Sequence, residues 1–478
     1  INVTDNITIL SKNVDIGGAL IQGSLNIVAD GAVVVGSNGL AYALGAVTID
    51  NPTGTTTLGT AGNSFIANGN VAVSATTGTI TNPAGTTFTA KSLVANAGTG
   101  DIAIGKVNSS NVSVTGNNIN LAIGSAVNPV VTATANGAVA ITALGATTVN
   151  VVNTSPTATT SAVVGGALTL GNVHVNSAGA TTFTGTSVTD SVNNNFVYGP
   201  VLFNATTGDV SITKAGNSFG PVSVATVGTA TATVNEGAAL NLGTINTSKL
   251  TAKTGDYLFQ TGVVTTPALV ATAVNDVTLG AVTNAIGNAT ITGNNIALAD
   301  TGAVVLVATG NNVALTTTGA VTLGNVTAGG TLAVTSAGAI TQDATSKVKA
   351  VGATSFTGTS LALVNTGNSF GALTIDTNTG AAAVTEETTL NLAGLRAGAT
   401  PLASNGSVIT SGIAAINAAT VTITAGADVI LGANFNSAGA VMVNAANGLA
   451  DLSLLSFAGN LHSVFPAVVA KNYKAPTP

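Results

Sequence analysis

An all-β fold, a single-stranded parallel β-helix (β-solenoid) with turns of about 20 residues, is what this sequence predicts. Three observations carry the prediction. Short structural phrases recur: Gly62-Asn63-Ser64-Phe65 returns as Gly216-Asn217-Ser218-Phe219 and as Gly367-Asn368-Ser369-Phe370, at intervals of roughly 150 residues. Between turn residues the chain alternates with period two, as in Val71-Ala72-Val73-Ser74, Val112-Ser113-Val114-Thr115 and Val421-Thr422-Ile423-Thr424. One face of each such run is apolar and the other hydroxylic, the pattern of a half-buried strand. Finally, 45% of the 478 residues are hydrophobic but only 3% are aromatic. Two packed sheets about 10 Å apart need larger side chains than these. Coils stacked about 4.8 Å apart need only columns of Val, Ala, Ile and Thr.

Residues 1–16 alternate Ile1, Val3, Ile7 and Ile9 with polar partners and are expected to form an N-terminal strand or cap. Residues 17–450 are expected to be a continuous solenoid with Gly and Asn at the corners, where both tolerate a left-handed backbone. Further phrases mark its coils. A strand ending in Leu-Gly occurs at Leu168–Gly171, Leu240–Gly243, Val277–Gly280 and Val321–Gly324; Thr-Gly-Asn-Asn starts at Thr115, Thr292 and Thr309. Residues 451–478 carry Leu452, Leu454, Leu455, Phe457, Phe465 and Tyr473 and are expected to form an apolar cap or interface tail. The open end of a solenoid must be blunted or docked. Ile7, Ile9, Leu454, Phe457, Phe465 and Tyr473 are therefore the candidate assembly interface, with strand addition as the physical route.

Charged residues are 6% of the chain, against about 25% in an ordinary soluble domain, and the net charge is −6. The aliphatic content excludes a disordered chain. The few basic residues form no phosphate-binding stripe, so nucleic acid is not an expected partner. No apolar run approaches the ~20 residues of a membrane helix, and the scarce Tyr cannot build the girdles of a membrane barrel. No signal peptide is visible; either one was removed or the chain is part of something longer. Without cysteine there is neither a disulfide framework nor a thiolate metal site.

The search for chemistry returns little. Glu386-Glu387 is the one adjacent acidic pair, and neighbours on a strand face opposite ways, so it reads as a solvated turn rather than a catalytic dyad. Asp376 could approach it across a turn, but nothing supports a reaction. His174, between Val173 and Val175, is expected to face solvent, and His462 belongs to the C-terminal segment. No cofactor, metal site or catalytic residue is expected. Threonine clusters such as Thr229–Thr233 do not recur at a fixed period, as ice binding would require, and the Asn-x-Ser/Thr triplets are as frequent as composition alone produces. Asn63, Asn217 and Asn368 are expected to stack as corner amides, and Phe65, Phe219 and Phe370 to fill the core beside them.

Val321-Thr322-Leu323-Gly324-Asn325-Val326-Thr327, the run Leu332–Gln342, and Gly216–Gly220 before Val222-Ser223-Val224 resemble the repeats of filamentous haemagglutinin-type and autotransporter-type bacterial exoproteins. The resemblance covers roughly residues 50–440. It implies a right-handed parallel β-helix, secretion across a Gram-negative envelope and a role in adhesion or surface structure. Asn51-Pro52-Thr53-Gly54 and Asn82-Pro83-Ala84-Gly85 match the secretion motifs of that family only in part. The expected function is a non-enzymatic, secreted or cell-surface structural protein that self-assembles into a fibre or forms an adhesin shaft. Its partners would be itself and a host or neighbouring-cell surface. A surface-layer lattice protein is the alternative, and a carbohydrate-binding or carbohydrate-cleaving β-helix a more distant one.

Overall fold

The computed structural model describes residues 2–37, 41–83, 85–124, 127–410, 416–432, 440–451 and 461–463. Of the C-terminal candidates, Leu454, Phe457, Phe465 and Tyr473 lie outside the described residues. Strands and turns make up the structure, with no helix among the described residues. The strands pair in parallel, each with its counterpart about 20 residues along the chain. The protein is a β-solenoid. It divides into two compact units, 1–248 and 249–478.

In the first unit, the alternation seen in the sequence becomes vertical columns. Leu25, Val47, Val71, Leu93, Val112, Val131, Val149 and Leu170 stand in register on successive coils. Two residues along, Ile27, Ile49, Val73, Ala95, Val114, Ala133, Val151 and Val173 form a second column. All of these side chains are buried. Period-two alternation sends every second residue inward, and in-register stacking sets like on like, so small β-branched side chains close the core without large rings. Where rings occur they stack too: Phe183 lies 6.0 Å from Phe203, which meets Phe219 edge-on at 5.4 Å.

The second unit repeats the plan. Leu250, Leu269, Ala289, Leu306 and Leu323 form one column. Leu298, Leu315, Val334, Phe356, Ile375, Leu395 and Ile416 form another. Three of the Leu-Gly phrases mark where a strand bends onto the next face. Leu170 and Val173 oppose Val149 and Val151, Leu242 and Ile245 oppose Val222 and Val224, and Leu323 and Val326 oppose Leu306 and Ala308. Each bend holds one extra residue, a bulge, and Gly171, Gly243 or Gly324 occupies it.

Close approach between coils explains part of the glycine content. Gly31, Gly54, Gly78 and Gly100 stack at one corner of the first unit. A Cβ on Gly54 would lie 1.6 Å from the Gly31 carbonyl oxygen, and one on Gly78 would lie 1.9 Å from that of Gly54. On Gly105, by contrast, a Cβ would meet its nearest neighbour at 3.6 Å, an ordinary contact. Gly54→Ala is therefore expected to destabilise the first unit by about 1–3 kcal/mol through forced separation of the coils. Gly105→Ala is expected to stay within about 0.5 kcal/mol of the parent. Chemical denaturation of the two variants, followed by circular dichroism, checks the difference.

Candidate functional site

Parallel ladders satisfy backbone N–H groups along a strand but leave some unpaired where the chain turns from one face to the next. A buried, unpaired N–H is costly. The structure meets this cost with side chains from the following coil, and these built ladders are its most specific polar features.

In the first unit the Val173 N–H donates to Asn195 Oδ1 at 2.9 Å, and the Asn195 N–H donates to Asn217 Oδ1 at 3.1 Å. The Phe219 N–H then donates to Glu236 Oε2 at 3.3 Å. The Asn217 amide also donates to Asp190 Oδ2 at 2.7 Å. Asp190 stands where the aliphatic column containing Leu170 is interrupted. Its other partners are the backbone N–H groups of Thr213 and Lys214, at 2.8 and 3.0 Å, and the Thr213 hydroxyl at 3.3 Å.

The second unit has this arrangement twice. Val264 donates to Asn284 Oδ1 at 2.9 Å, and one coil later Ile286 donates to Asp300 Oδ1 at 2.6 Å. Val348 donates to Asn368 Oδ1 at 2.9 Å, and Phe370 donates to Glu386 at 3.1 and 3.2 Å. Each Asn is also paired amide to amide with a Gln one coil earlier. Asn284 pairs with Gln260, at 2.9 Å in both directions, and Asn368 with Gln342, at 2.6 and 3.0 Å. Gln342, like Asp190, replaces an aliphatic residue, because it stands above Leu323.

The three Gly-Asn-Ser-Phe phrases thus share a position for Phe and differ at Asn. Phe65, Phe219 and Phe370 are all buried. Phe65 stacks on Phe88 at 5.3 Å, and Phe370 meets Phe356 edge-on at 5.9 Å. Asn217 and Asn368 bridge coils, whereas the Asn63 amide donates to Thr60, three residues back in its own corner, at 3.0 Å. The expectation of stacked corner amides therefore needs correction at Asn63. Its corner is closed by the isolated antiparallel bridge between Thr60 and Asn63 instead.

A second correction concerns Glu386-Glu387. Glu387 is exposed and pairs with Lys349 at 3.5 Å, but Glu386 is fully buried. The strand alternation runs on through Ala382, Val384 and Glu386, so Glu386 points inward. Glu236, two residues beyond Val234, is buried for the same reason. Burial pushes Glu236 up to about 8, opposed by the Phe219 N–H. Burial likewise pushes Glu386 up to about 7, against hydrogen bonds from Thr388, Phe370 and Ser369. The signal was present in the sequence, an acidic residue in phase with an apolar face, yet an inward carboxyl contradicts the rule by which strands are read. Asp376 stands instead beside Arg396, at 3.5 Å.

Thr-Gly-Asn-Asn builds an outer ladder. Asn118 bonds Asp101 Oδ1 through its N–H at 3.0 Å and its amide at 3.1 Å, Asn117 adds its amide at 3.1 Å, and Asn118 Oδ1 accepts the Ala138 N–H at 2.9 Å. The backbone bond from Asn118 is the main reason the Asp101 carboxyl titrates below the usual carboxylate range. Asp276 is bonded in the same way by Asn294 and Asn295, and the ladder continues from Asn295 to Asn312 at 2.7 Å.

His174 is exposed and stacks on Phe196 at 5.0 Å. A shallow groove of about 420 Å3 lies over Asn378, Arg396, Gly398 and Asn417. No group of three or more His, Asp or Glu side chains able to hold a metal ion occurs among the described residues. Ile7 and Ile9 are half-buried on a strand, Ile7–Leu10, that among the described residues pairs on one side only, with Leu25–Val28.

Residues 310–377 match a family model described as repeats of unknown function (DUF5649). The matched segment includes the strands from Asn312–Thr317 to Ala372–Asp376 and holds Gln342 and Asn368 of the inner ladder. No curated protein and no solved structure is detectably similar to the chain. Fold and family match together define the class, a repeat protein built as a β-solenoid.

Asn368→Ala strands the Val348 N–H and breaks the amide pair with Gln342, whose N–H2 keeps the Ser346 carbonyl, and is expected to cost about 2–3 kcal/mol of stability in the second unit. Asn63→Ala removes one partly buried bond and is expected to cost less than about 1 kcal/mol. Urea unfolding of the two variants provides the comparison.

Proposed function

We propose that the protein is a non-enzymatic, extracellular structural element of a bacterial surface, secreted or anchored there. Its solenoid joins further copies end to end into a fibre, or stands as the shaft of an adhesin. The style of its repeats, like that of filamentous haemagglutinin-type and autotransporter-type exoproteins, supports the extracellular assignment.

One observation carries the assembly reading. Leu25 and Ile27 are 2% and 0% exposed, and their column neighbours Val47 and Ile49 are 1% and 0%. Ile7 and Ile9 stand in those same two columns and are only half-buried. A further coil laid on Ile7–Leu10 would bury both side chains and pair the side of the strand that has no partner among the described residues, which is the chemistry of strand addition. The in-register columns make any coil of similar pattern a suitable partner, and a second copy of this chain offers many.

Electron microscopy of the unfixed protein at several concentrations tests the proposal. Filaments with a regular axial repeat are expected for the parent. The double variant Ile7→Lys, Ile9→Lys should give single particles with an unchanged β-rich circular dichroism spectrum. Filaments that persist in the variant would place the joint elsewhere. Single particles of the parent at every concentration would overturn self-assembly and leave the adhesin shaft.

A further inference from the structure

The inner ladder of the second unit changes chemistry between one coil and the next. At the Val348 coil the N–H is received by an amide, Asn368 Oδ1; at the Phe370 coil it is received by a carboxyl, Glu386. Glu386 has no exposed surface. Its further donors are Ser369 and Thr388, the Thr388 hydroxyl donating to Oε1 at 3.0 Å. The titratable groups on the strands and corners packed around it are Asp343, Lys347, Lys349, Asp376, Glu387 and Arg396. Lys349 is engaged outside with Glu387 and Arg396 with Asp376, each at 3.5 Å. The alkyl chain of Lys347 runs over Gly367, and Asp343 is exposed at its corner. The carboxyl is thus enclosed with neutral donors and no counter-charge.

We propose that the Phe370–Glu386 joint is a proton-operated clasp between consecutive coils, closed while Glu386 carries its proton and loosened when it ionises. A neutral carboxyl accepts the Phe370 N–H as an amide would. An ionised one, buried without a cation, is stabilised by water, which reaches it only if the short strand Ser369–Phe370 lifts from its neighbour. The first unit repeats the geometry at Phe219 and Glu236, where Glu236 Oε1 is buried without a partner.

The raised proton affinity set by burial fixes the direction. Open chain releases the Glu386 proton near the ordinary value of 4.5, and the closed joint releases it at about 7. Between these values the closed form binds more protons, so its contribution is fully present below pH 4.5 and is lost as pH rises to about 7. The joint tightens in acid, the reverse of a salt-bridged carboxylate such as one held below its usual range.

Amide hydrogen exchange of the intact protein, corrected for the intrinsic rate, tests this. Protection of the Phe370 amide is expected to fall by about tenfold or more between pH 5 and pH 7 and to level off above. In Glu386→Gln the same amide should change by less than about twofold over that range, while the Phe219 amide keeps the dependence of the parent. Should Glu386→Gln fail to fold, Glu236→Gln read at Phe219 makes the same test in the first unit. In the parent alone, the ratio of Phe370 to Phe356 protection must fall as pH rises. A pH-independent ratio, or an identical slope in parent and Gln variant, would overturn the clasp.

Discussion

A backbone N–H that turns a corner inside a stack of coils must find an acceptor there, and the rest of this structure depends on how that demand is met. Along the flat faces the demand is trivial, because parallel strands exchange their hydrogen bonds with the coils on either side. At the corners it is not. The chain supplies Asn195, Asn217, Asn284 and Asn368 as acceptors from the following coil. Once such an amide enters the core its own N–H2 needs a partner. Asp190, Gln260 and Gln342 provide one. At these corners the amides thus enter the interior together with their partners.

The same constraint explains why the surface carries so few charges. Most side chains that leave the core point from a strand into solvent and stand directly above and below those of the neighbouring coils, as Asn26, Thr48 and Ala72 do. Thr57 and Thr81, or Thr322 and Thr341, lie with hydroxyls 3.4 and 3.3 Å apart. Like charges stacked at that spacing would repel along the whole column, whereas hydroxyls and amides donate and accept at once. A composition rich in Thr, Ser and Asn is what an in-register stack permits on its outside.

Much of this was legible in the sequence, and the limits are physical. Period-two runs around Val71, Val112 and Val421 predicted strands with one buried face, and the small size of their side chains predicted stacking of coils over facing sheets. Thr-Gly-Asn-Asn marked a corner, though the acid it binds lies a coil earlier and could not be paired with it from spacing alone. Gly-Asn-Ser-Phe marked a corner three times, yet Asn63 and Asn368 bond differently because the coils next to them differ. From the sequence Glu386 reads as solvated, because strand rules place apolar residues inward. Its phase with Val384 was visible, but whether a carboxyl in that phase is tolerated depends on the Phe370 N–H across the stack, a partner that no local pattern reveals.

The bulges at Gly171, Gly243 and Gly324 bear on how such a chain changes over generations. Inserting one residue into a uniform strand turns every later side chain inside out. At a bend that already holds two residues against one, a gain or loss of one residue is absorbed before the next face begins. Length mutations are therefore filtered by position, surviving at bends and failing in strands. Coils drift in length while the columns persist, so the heritable unit is the column, and the sequence period blurs although the stack does not.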